Sequence, residues 1–130
     1  MRGFVFDAGA FIALERRDPL LLGILDETLR GTVQVVLPRT VIAQAWRGSP
    51  RQANIARLIS AGRGQHSPVI IDELTGERAK EIGITIGKTS HPDIVDVHVA
   101  LVAAEHGNAV LTSDDADIAA VNPDLVLVHV

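Results

Sequence analysis

The sequence contains no cysteine among its 130 residues. This absence excludes disulfide bonds, thiolate catalysis and zinc sites built on cysteine. No apolar run reaches the ~18 uninterrupted residues that a membrane-spanning helix needs. The first apolar stretch, residues 4–14, is interrupted by Asp7 and lacks the charged, apolar and small-residue order of a secretory leader. We therefore expect a cytoplasmic protein with no membrane partner.

Basic residues are also in short supply, since 12 lysines and arginines are outnumbered by 16 acidic residues and the net charge is −4. This balance argues against a large basic surface that coats nucleic acid, but not against a small one. Hydrophobic residues make up 47% of the chain, which suits an α/β fold whose strands are buried on both faces. Such a composition also leaves apolar surface for a partner or a second copy. The length corresponds to one domain, residues 1–130.

Several common catalytic signatures are missing as well. No serine lies in a nucleophile elbow, and no glycine-rich phosphate loop is present. The five histidines show no metal-ligand spacing such as HxxxH, so we interpret all five as non-catalytic, although His91 adjoins an acidic helix start. The single tryptophan, Trp46, is more typical of packing in a core or an interface than of stacking on a base.

Short apolar strands alternate with helical patterns along the chain, which is typical of βαβ units. The predicted strands are 3–6, 33–37, 69–71, 109–112 and 125–130, and the predicted helices are 10–15, 20–30, 40–47, 49–61, 75–86, 90–107 and 116–121. Ser49 and Gln52 match a capping box, as do Ser90 and Asp93. Residues 62–67 are polar and glycine-rich and predict a mobile loop. Together these elements predict a three-layer α/β/α sandwich with a mostly parallel sheet.

Three aspartates occupy positions that such a fold would bring together. Asp7 closes the first predicted strand, Asp114 follows the fourth, and Asp96 lies near the start of the helix that leads into the fourth strand. Adjacent parallel strands bring their carboxyl ends to one edge, where open α/β sheets bind their ligands. Carboxylates crowded into one crevice need a cation, and hard oxygen ligands favour Mg²⁺ or Mn²⁺. The sequence therefore indicates a divalent-metal site.

Structural explanations compete with the metal hypothesis at most of these positions. Asp7 could cap the following helix, and the capping box would account for Asp93. Asp96 lacks such an explanation, because its neighbours are nearly all apolar and a buried carboxylate without a partner is costly.

Three aspartates, Asp114, Asp115 and Asp117, crowd the turn after the fourth predicted strand. One of them is expected to cap the next short helix. Asp114 directly follows the strand and is expected to point into the crevice, and Asp117 comes next. Capping needs only one of the three.

The chain resembles the PIN-domain ribonucleases, and among them the VapC toxins of bacterial toxin–antitoxin pairs. The resemblance spans nearly the whole chain and rests on the order and spacing of four segments. These are Phe4-Val5-Phe6-Asp7-Ala8-Gly9-Ala10, Pro38-x-Thr40-Val41-Ile42-Ala43-Gln44, Asp93-x-x-Asp96-x-x-x-Ala100, and Glu105-His106-Gly107 leading into Leu111-Thr112-Ser113-Asp114. The resemblance implies a metal-dependent endoribonuclease, the toxin of a type II pair, that cleaves RNA, binds a VapB-like antitoxin and forms a homodimer.

The acidic site of that family would fall on Asp7, Asp96, Asp114 and Asp117, with Mg²⁺ or Mn²⁺ as cofactor. Two departures are visible. Gln44 stands where the family usually has a glutamate, and Gly9 replaces a small hydroxyl residue. Gln44 can still hydrogen-bond a metal-bound water but adds no negative charge, so Asp93 is a candidate substitute.

Such a site would hydrolyse phosphodiesters, because metal ions lower the pKa of bound water and stabilise charge on the leaving oxygen. Asp7, Asp96 and Asp114 would be the catalytic, metal-holding residues. Three arginines, Arg39, Arg47 and Arg51, could hold substrate phosphates near the mouth of the crevice. A solvated helix face also explains each arginine taken singly.

Two other classes of function compete with the ribonuclease hypothesis. A HAD-like or receiver-like phosphotransfer domain would use the aspartate after the first strand, but position 9 is glycine where HAD proteins have a second aspartate. A degenerate PIN-fold module would bind RNA or a protein without cleaving anything, and Gln44 is the residue that favours it.

Overall fold

Five parallel strands form the single sheet of the computed structural model, which describes residues 2–130. The strands are β1 (Arg2–Phe6), β2 (Val33–Pro38), β3 (Val69–Asp72), β4 (Ala109–Thr112) and β5 (Leu127–His129). Their order across the sheet is β3-β2-β1-β4-β5, and each neighbouring pair is parallel. The predicted parallel sheet is confirmed, and the last strand is shorter than predicted.

Helices cover both faces of this sheet. The connections contain α1 (Ala8–Glu15), α2 (Pro19–Leu29), α3 (Arg39–Ala45), a 3₁₀ turn (Pro50–Gln52), α4 (Ala53–Ala61), α5 (Gly76–Thr89), α6 (Ile94–His106) and α7 (Asp115–Val121). Because parallel crossovers are right-handed, the strand order places α1–α4 on one face and α5–α7 on the other. Accordingly α1 packs against α2, α3 and α4, whereas α5, α6 and α7 pack against one another. The three-layer α/β/α fold is confirmed. Within residues 2–130, no helix is both long and apolar enough to cross a membrane.

The central strands are buried on both faces, as their continuous apolar runs predict. Val5 and Phe6 of β1 and Val35 of β2 have no exposed surface. Phe6 meets Phe11 of α1 edge to face, with ring centroids 6.0 Å apart. This packing holds the start of α1 directly over the carboxyl end of β1.

The sheet order reverses between β1 and β4, where chain connections leave in opposite directions. Phe6 of β1 is in register with Leu111 of β4, and the Asp7 N–H donates a 3.1 Å hydrogen bond to the Leu111 carbonyl. A crevice at the carboxyl ends of strands on either side of such a reversal is the usual ligand site of an open α/β sheet. The strands that border this crevice are β1, which Asp7 follows, and β4, which Asp114 follows.

Both predicted capping boxes are wrong. Helix α5 continues to Thr89, and Ser90 ends it in the left-handed conformation, with φ 60°. Asp93 is itself the N-cap of α6, where its carboxylate accepts a hydrogen bond of 3.0 Å from the Asp96 N–H. Gln52 is buried and turns away from α4. Its amide oxygen instead accepts a 2.8 Å hydrogen bond from the Arg47 N–H, just beyond the end of α3.

Candidate metal centre

Asp7 is almost completely buried, with 2% of its surface exposed, at the junction of β1 and α1. Its Oδ1 accepts a 2.8 Å hydrogen bond from the Ala8 N–H, and its Oδ2 accepts one of 2.8 Å from the Thr112 hydroxyl. Burial raises the pKa of Asp7, the hydrogen bonds from Thr112 and Ala8 lower it, and the charges of Asp114 and Asp93 raise it further. The net shift is upward, so the ionised carboxylate is incompletely compensated by the protein alone.

The turn after β1 is in direct contact with the turn after β4. A Cβ atom built on Gly9 would lie 2.7 Å from the Ser113 backbone nitrogen and 3.0 Å from the Ser113 Cβ. No side chain fits between the two turns without displacing backbone. The glycine at position 9, where the resembled family has a small hydroxyl residue, is therefore explained by this close approach of the turns that carry Asp7 and Asp114.

Asp96 lies in the first turn of α6 and is buried beside His91. Its Oδ2 is 2.8 Å from the His91 Nε2. Burial raises the pKa of Asp96, the hydrogen bond from His91 lowers it, and the charges of Asp93, Asp7 and Asp117 raise it. The net shift is again upward. Charges from three parts of the chain thus converge on one carboxylate.

A compact group of ligand atoms is formed by His91, Asp96 and Asp117. One ring nitrogen and two carboxylate oxygens from these residues all lie within 4.8 Å of one another. Metal–ligand bonds of about 2.0–2.2 Å allow atoms at such distances to surround a single ion. From the sequence, His91 is predicted to be non-catalytic. Only its position next to an acidic helix start pointed to the cluster, because the left-handed turn at Ser90 determines where His91 lies.

Asp114 and Asp117 are exposed residues at the start of α7. Asp114 occupies the N-cap position, but its carboxylate caps nothing; instead, its N–H donates a 2.9 Å hydrogen bond to the Thr112 hydroxyl. Asp115 is drawn away from the crevice, because its carboxylate accepts a 2.7 Å hydrogen bond from the His129 ring. Of the three crowded aspartates, Asp114 and Asp117 therefore have free carboxylates in the described part of the chain.

The other predicted site residues lie around α3. Gln44 is exposed, and its side chain makes no hydrogen bond to residues 2–130. Arg39 forms a two-pronged ion pair with Glu73, with nitrogen–oxygen distances of 2.8 and 2.7 Å. The guanidinium of Arg47 donates to the Trp46 carbonyl, and Arg51 is exposed. Within the described residues, these arginines form no ion pair with the aspartates of the crevice.

A buried polar network connects α6 to the neighbouring elements. His98 has no exposed surface, and its two ring nitrogens lie 2.7 Å from an Asp72 carboxylate oxygen and 2.7 Å from the Thr40 hydroxyl. Arg78 donates two hydrogen bonds of 2.9 Å to the same Asp72 carboxylate and one of 2.5 Å to Glu105. The network joins β3, α3, α5 and α6, and the sequence analysis missed it.

The donor set of the crevice fits a divalent cation. Carboxylate oxygens are the ligands that Mg²⁺ and Mn²⁺ prefer, and an imidazole nitrogen is a further ligand for first-row transition metals. A bound cation would also relieve the burial and the mutual repulsion that raise the pKa values of Asp7 and Asp96. The arrangement can therefore hold a divalent ion.

Comparison with known proteins bears on the fold. No protein-family model matches the chain, and no curated protein matches it. A chain in the crystal structure of VapBC2 from Rickettsia felis, bound to a DNA fragment from their promoter, is similar with a TM-score of 0.66 and 12% identity, covering 98% of both chains. A chain in the structure of FitAB bound to the IR36 DNA fragment gives 0.59 at 18% identity, covering 97% of this chain and 94% of that one.

The crystal structure of FitAcB from Neisseria gonorrhoeae provides a further match, with a TM-score of 0.55, 18% identity and 95% coverage of both chains. Sequence identities this low establish a common fold and nothing finer. The PIN-like fold predicted from the four sequence segments is confirmed. The resemblance to VapC proteins is likewise confirmed at the level of the fold, since a VapBC complex contains a chain of the same architecture and length.

Proposed function

We propose that this chain is a divalent-metal-dependent endoribonuclease and the toxin of a toxin–antitoxin pair. The observation that carries the proposal is the convergence of aspartates at the reversal of the sheet, where burial and neighbouring carboxylates raise the pKa of both Asp7 and Asp96. A protein that kept these groups only for stability would gain from neutralising them. The similarity to chains of VapBC2 and FitAB supports the toxin assignment.

Asp7, Asp96 and Asp114 would hold the metal, with Asp93 and Asp117 as supporting residues and His91 beside them. When bound, the ion would lower the pKa of a water molecule and stabilise charge on the leaving oxygen. The remaining roles belong to the chain itself. Thr112 and Ala8 fix the Asp7 carboxylate by hydrogen bonds to its two oxygens. Asp93 fixes the start of α6, and with it Asp96, by capping that helix.

A VapB-like antitoxin would silence such a site most directly by presenting an arginine to the carboxylates. A guanidinium matches carboxylate geometry with two parallel hydrogen bonds and replaces the missing cation charge. RNA and antitoxin would then compete for the same crevice, and the complex would release activity when the antitoxin is removed.

One observation favours a second candidate function, a module that binds RNA or a protein without cleavage. Gln44 is uncharged and exposed where the resembled family has a glutamate of the site. A site with one carboxylate fewer binds metal more weakly. Isothermal calorimetry with MnCl₂ separates the two functions. The enzyme should give a saturable heat of metal binding that the Asp96→Asn substitution removes, whereas the binding module should give no such heat.

Cleavage assays test the enzymatic proposal. Purified protein should cut single-stranded RNA with Mg²⁺ or Mn²⁺ and stop when EDTA is added. Asp7→Asn and Asp96→Asn should each lower the rate by about 10²–10³-fold, the usual loss when one charge-stabilising group is removed. Asp115→Asn is the matched control and should cleave normally, because Asp115 contacts His129 rather than the crevice. Undiminished cleavage by Asp96→Asn would show that the activity does not come from this site.

A further inference from the structure

The middle of the chain carries a charge excess opposite to that of the whole protein. Residues 31–71 contain five arginines, no lysine and no acidic residue, although the net charge of the chain is −4. The five arginines are Arg39, Arg47, Arg51, Arg57 and Arg63. This segment contains α3 and α4, and its arginines lie on these two helices, on the 3₁₀ turn between them or just beyond the helix ends. A local basic surface on an otherwise acidic domain indicates an anionic ligand.

These two helices also border a groove of about 430 Å³. Arg39 and Arg63 line it together with Ile42, Ile59 and Trp46. Trp46, at the end of α3, is 38% exposed, so of the two predicted places for this residue, a core or an interface, the core is excluded. An exposed indole in a groove that two guanidinium groups also line offers a flat apolar surface for stacking, with positive charge in the same groove.

The groove begins next to the carboxylate crevice. Arg39 is the first residue of α3, and the hydroxyl of the following residue, Thr40, contacts His98 on α6. Arg39 directly follows β2 and Asp7 directly follows the neighbouring strand β1, so both lie at the same edge of the sheet, and an extended ligand that leaves the crevice can enter the groove at Arg39. The pair of Arg39 with Glu73 does not block this path. Both side chains are about half exposed, and exposed ion pairs exchange readily for another anion.

We propose that this groove is a subsite for single-stranded RNA, in which the Trp46 indole stacks on a base while Arg39 and Arg63 bind the flanking phosphates. The inference rests on the proposed ribonuclease function and defines the form of its substrate. Only an unpaired base exposes a face for stacking, so the subsite would select single-stranded RNA over duplex. Two arginines and no acidic residue line the groove, and this excess of positive charge favours a polyanion over a protein segment as the occupant.

Trp46 is the only tryptophan in the chain, so intrinsic fluorescence reports on this groove alone. The protein is titrated in EDTA, which prevents cleavage, with a single-stranded RNA of about 10 nucleotides, within the range of known single-strand sites. We expect saturable quenching by this RNA and little by the same sequence as a duplex. Anisotropy of the labelled RNA should show about 10-fold weaker binding by Trp46→Ala and an intermediate loss for Trp46→Phe.

Charge is tested with a matched pair of arginine variants. Arg63→Gln should weaken RNA binding. The slope of the logarithm of the binding constant against the logarithm of the salt concentration should fall by about the amount that one phosphate contact contributes. Arg30→Gln is the control, because Arg30 is the C-cap of α2, lies outside the basic segment and pairs with Asp26. Equal losses in both variants would mean that binding follows total charge, and the subsite would be rejected.

Two results overturn the proposal directly. RNA that binds by anisotropy without changing the Trp46 fluorescence does not occupy the groove. Quenching by a co-purified antitoxin, with none by RNA, assigns the groove to a protein partner instead. Failure of the ribonuclease proposal looks different: wild-type protein would then cut no RNA with Mn²⁺ even though Trp46 is quenched. Conversely, normal cleavage by Trp46→Ala, together with no quenching of the wild-type protein by RNA, would reject only the subsite.

Discussion

Asp7 is a helix cap and a member of the carboxylate cluster at the same time. The sequence presents these roles as alternatives, but the structure uses one oxygen to cap Ala8 and the other to accept the Thr112 hydroxyl. Each hydrogen bond takes one lone pair, and a carboxylate oxygen has two. Both oxygens therefore retain capacity for a cation, and the two hydrogen bonds fix the orientation of the carboxylate.

Asp96→Asn should make the metal-free protein more stable at pH 7. The pKa of Asp96 is raised in the folded state, so its ionised form opposes folding above that pKa, and an amide of the same shape removes the opposition. We expect the thermal midpoint in EDTA to rise by about 2–5 °C, roughly the shift that 1 kcal/mol produces in a domain of this size. Differential scanning calorimetry provides the measurement.

Asp115→Asn again serves as the control, because its exposed contact with His129 contributes little to stability. A lower midpoint for Asp96→Asn than for wild type would mean that the contact with His91 outweighs the burial of the charge. Asp96 would then be a residue that stabilises the fold, rather than a site residue whose charge lowers the stability of the metal-free protein.

At the scale of elements, the sequence predicts strands better than helix ends. All five strands are found, because continuous apolar runs between turn residues identify buried parallel strands. The capping boxes fail for a physical reason. Ser90 and Gln52 could each cap the helix that follows. Instead, Ser90 ends α5, and the Gln52 side chain accepts a hydrogen bond from the backbone just beyond the end of α3. A local motif cannot reveal which of two adjacent helix ends will use it.

The network around His98 could not be predicted from spacing. Its contacts join residues 26 and 58 positions apart, so only the folded chain brings them together. The aspartates at strand ends are different, because parallel topology alone collects them at one edge. Sequence patterns therefore indicated the aspartate cluster of the candidate site but not the groups that support it.

Asp72→Asn should destabilise the protein by about 3–5 kcal/mol at neutral pH, the usual result of breaking a buried pair. Burial would raise the pKa of Asp72, but hydrogen bonds from Arg78 and His98 outweigh it and lower the pKa. Stability from this carboxylate is thus present above its unfolded pKa and lost as pH falls through the lower folded pKa. Urea unfolding should show a large difference from wild type at pH 7 that shrinks below about pH 4.

Glu73→Gln is the matched comparison, since it breaks the exposed pair with Arg39 one residue away. We expect a loss of only about 0–1 kcal/mol. The other charged groups facing Arg78 are Glu81 and Glu105, and both are about half exposed. If Asp72→Asn and Glu73→Gln were equally mild, these two glutamates would be sufficient partners for Arg78 and the buried network would not hold α6.

At the scale of the whole molecule, large apolar side chains remain uncovered. Ile84, Ile94 and Val126 expose 60, 52 and 66% of their surface, and Leu20 exposes 47%. Since two-fold dimers are the commonest homo-oligomers, we expect this chain to form one. Light scattering at micromolar concentration should report twice the 13.9 kDa mass of one chain. A monomeric mass under those conditions would leave the exposed residues to a different partner, such as an antitoxin.

The hydrogen bond between Asp7 and Thr112 has a consequence for the protein while it is being made. The two residues are 105 positions apart, and β1 cannot pair with β4 until both have left the ribosome. At a translation rate of ~5–20 residues per second, roughly 5–20 s pass between the synthesis of Asp7 and the synthesis of Thr112. A nascent chain therefore has no assembled crevice. Any activity of the crevice would arise only after β4 has been made, when a partner could already be present to bind the protein.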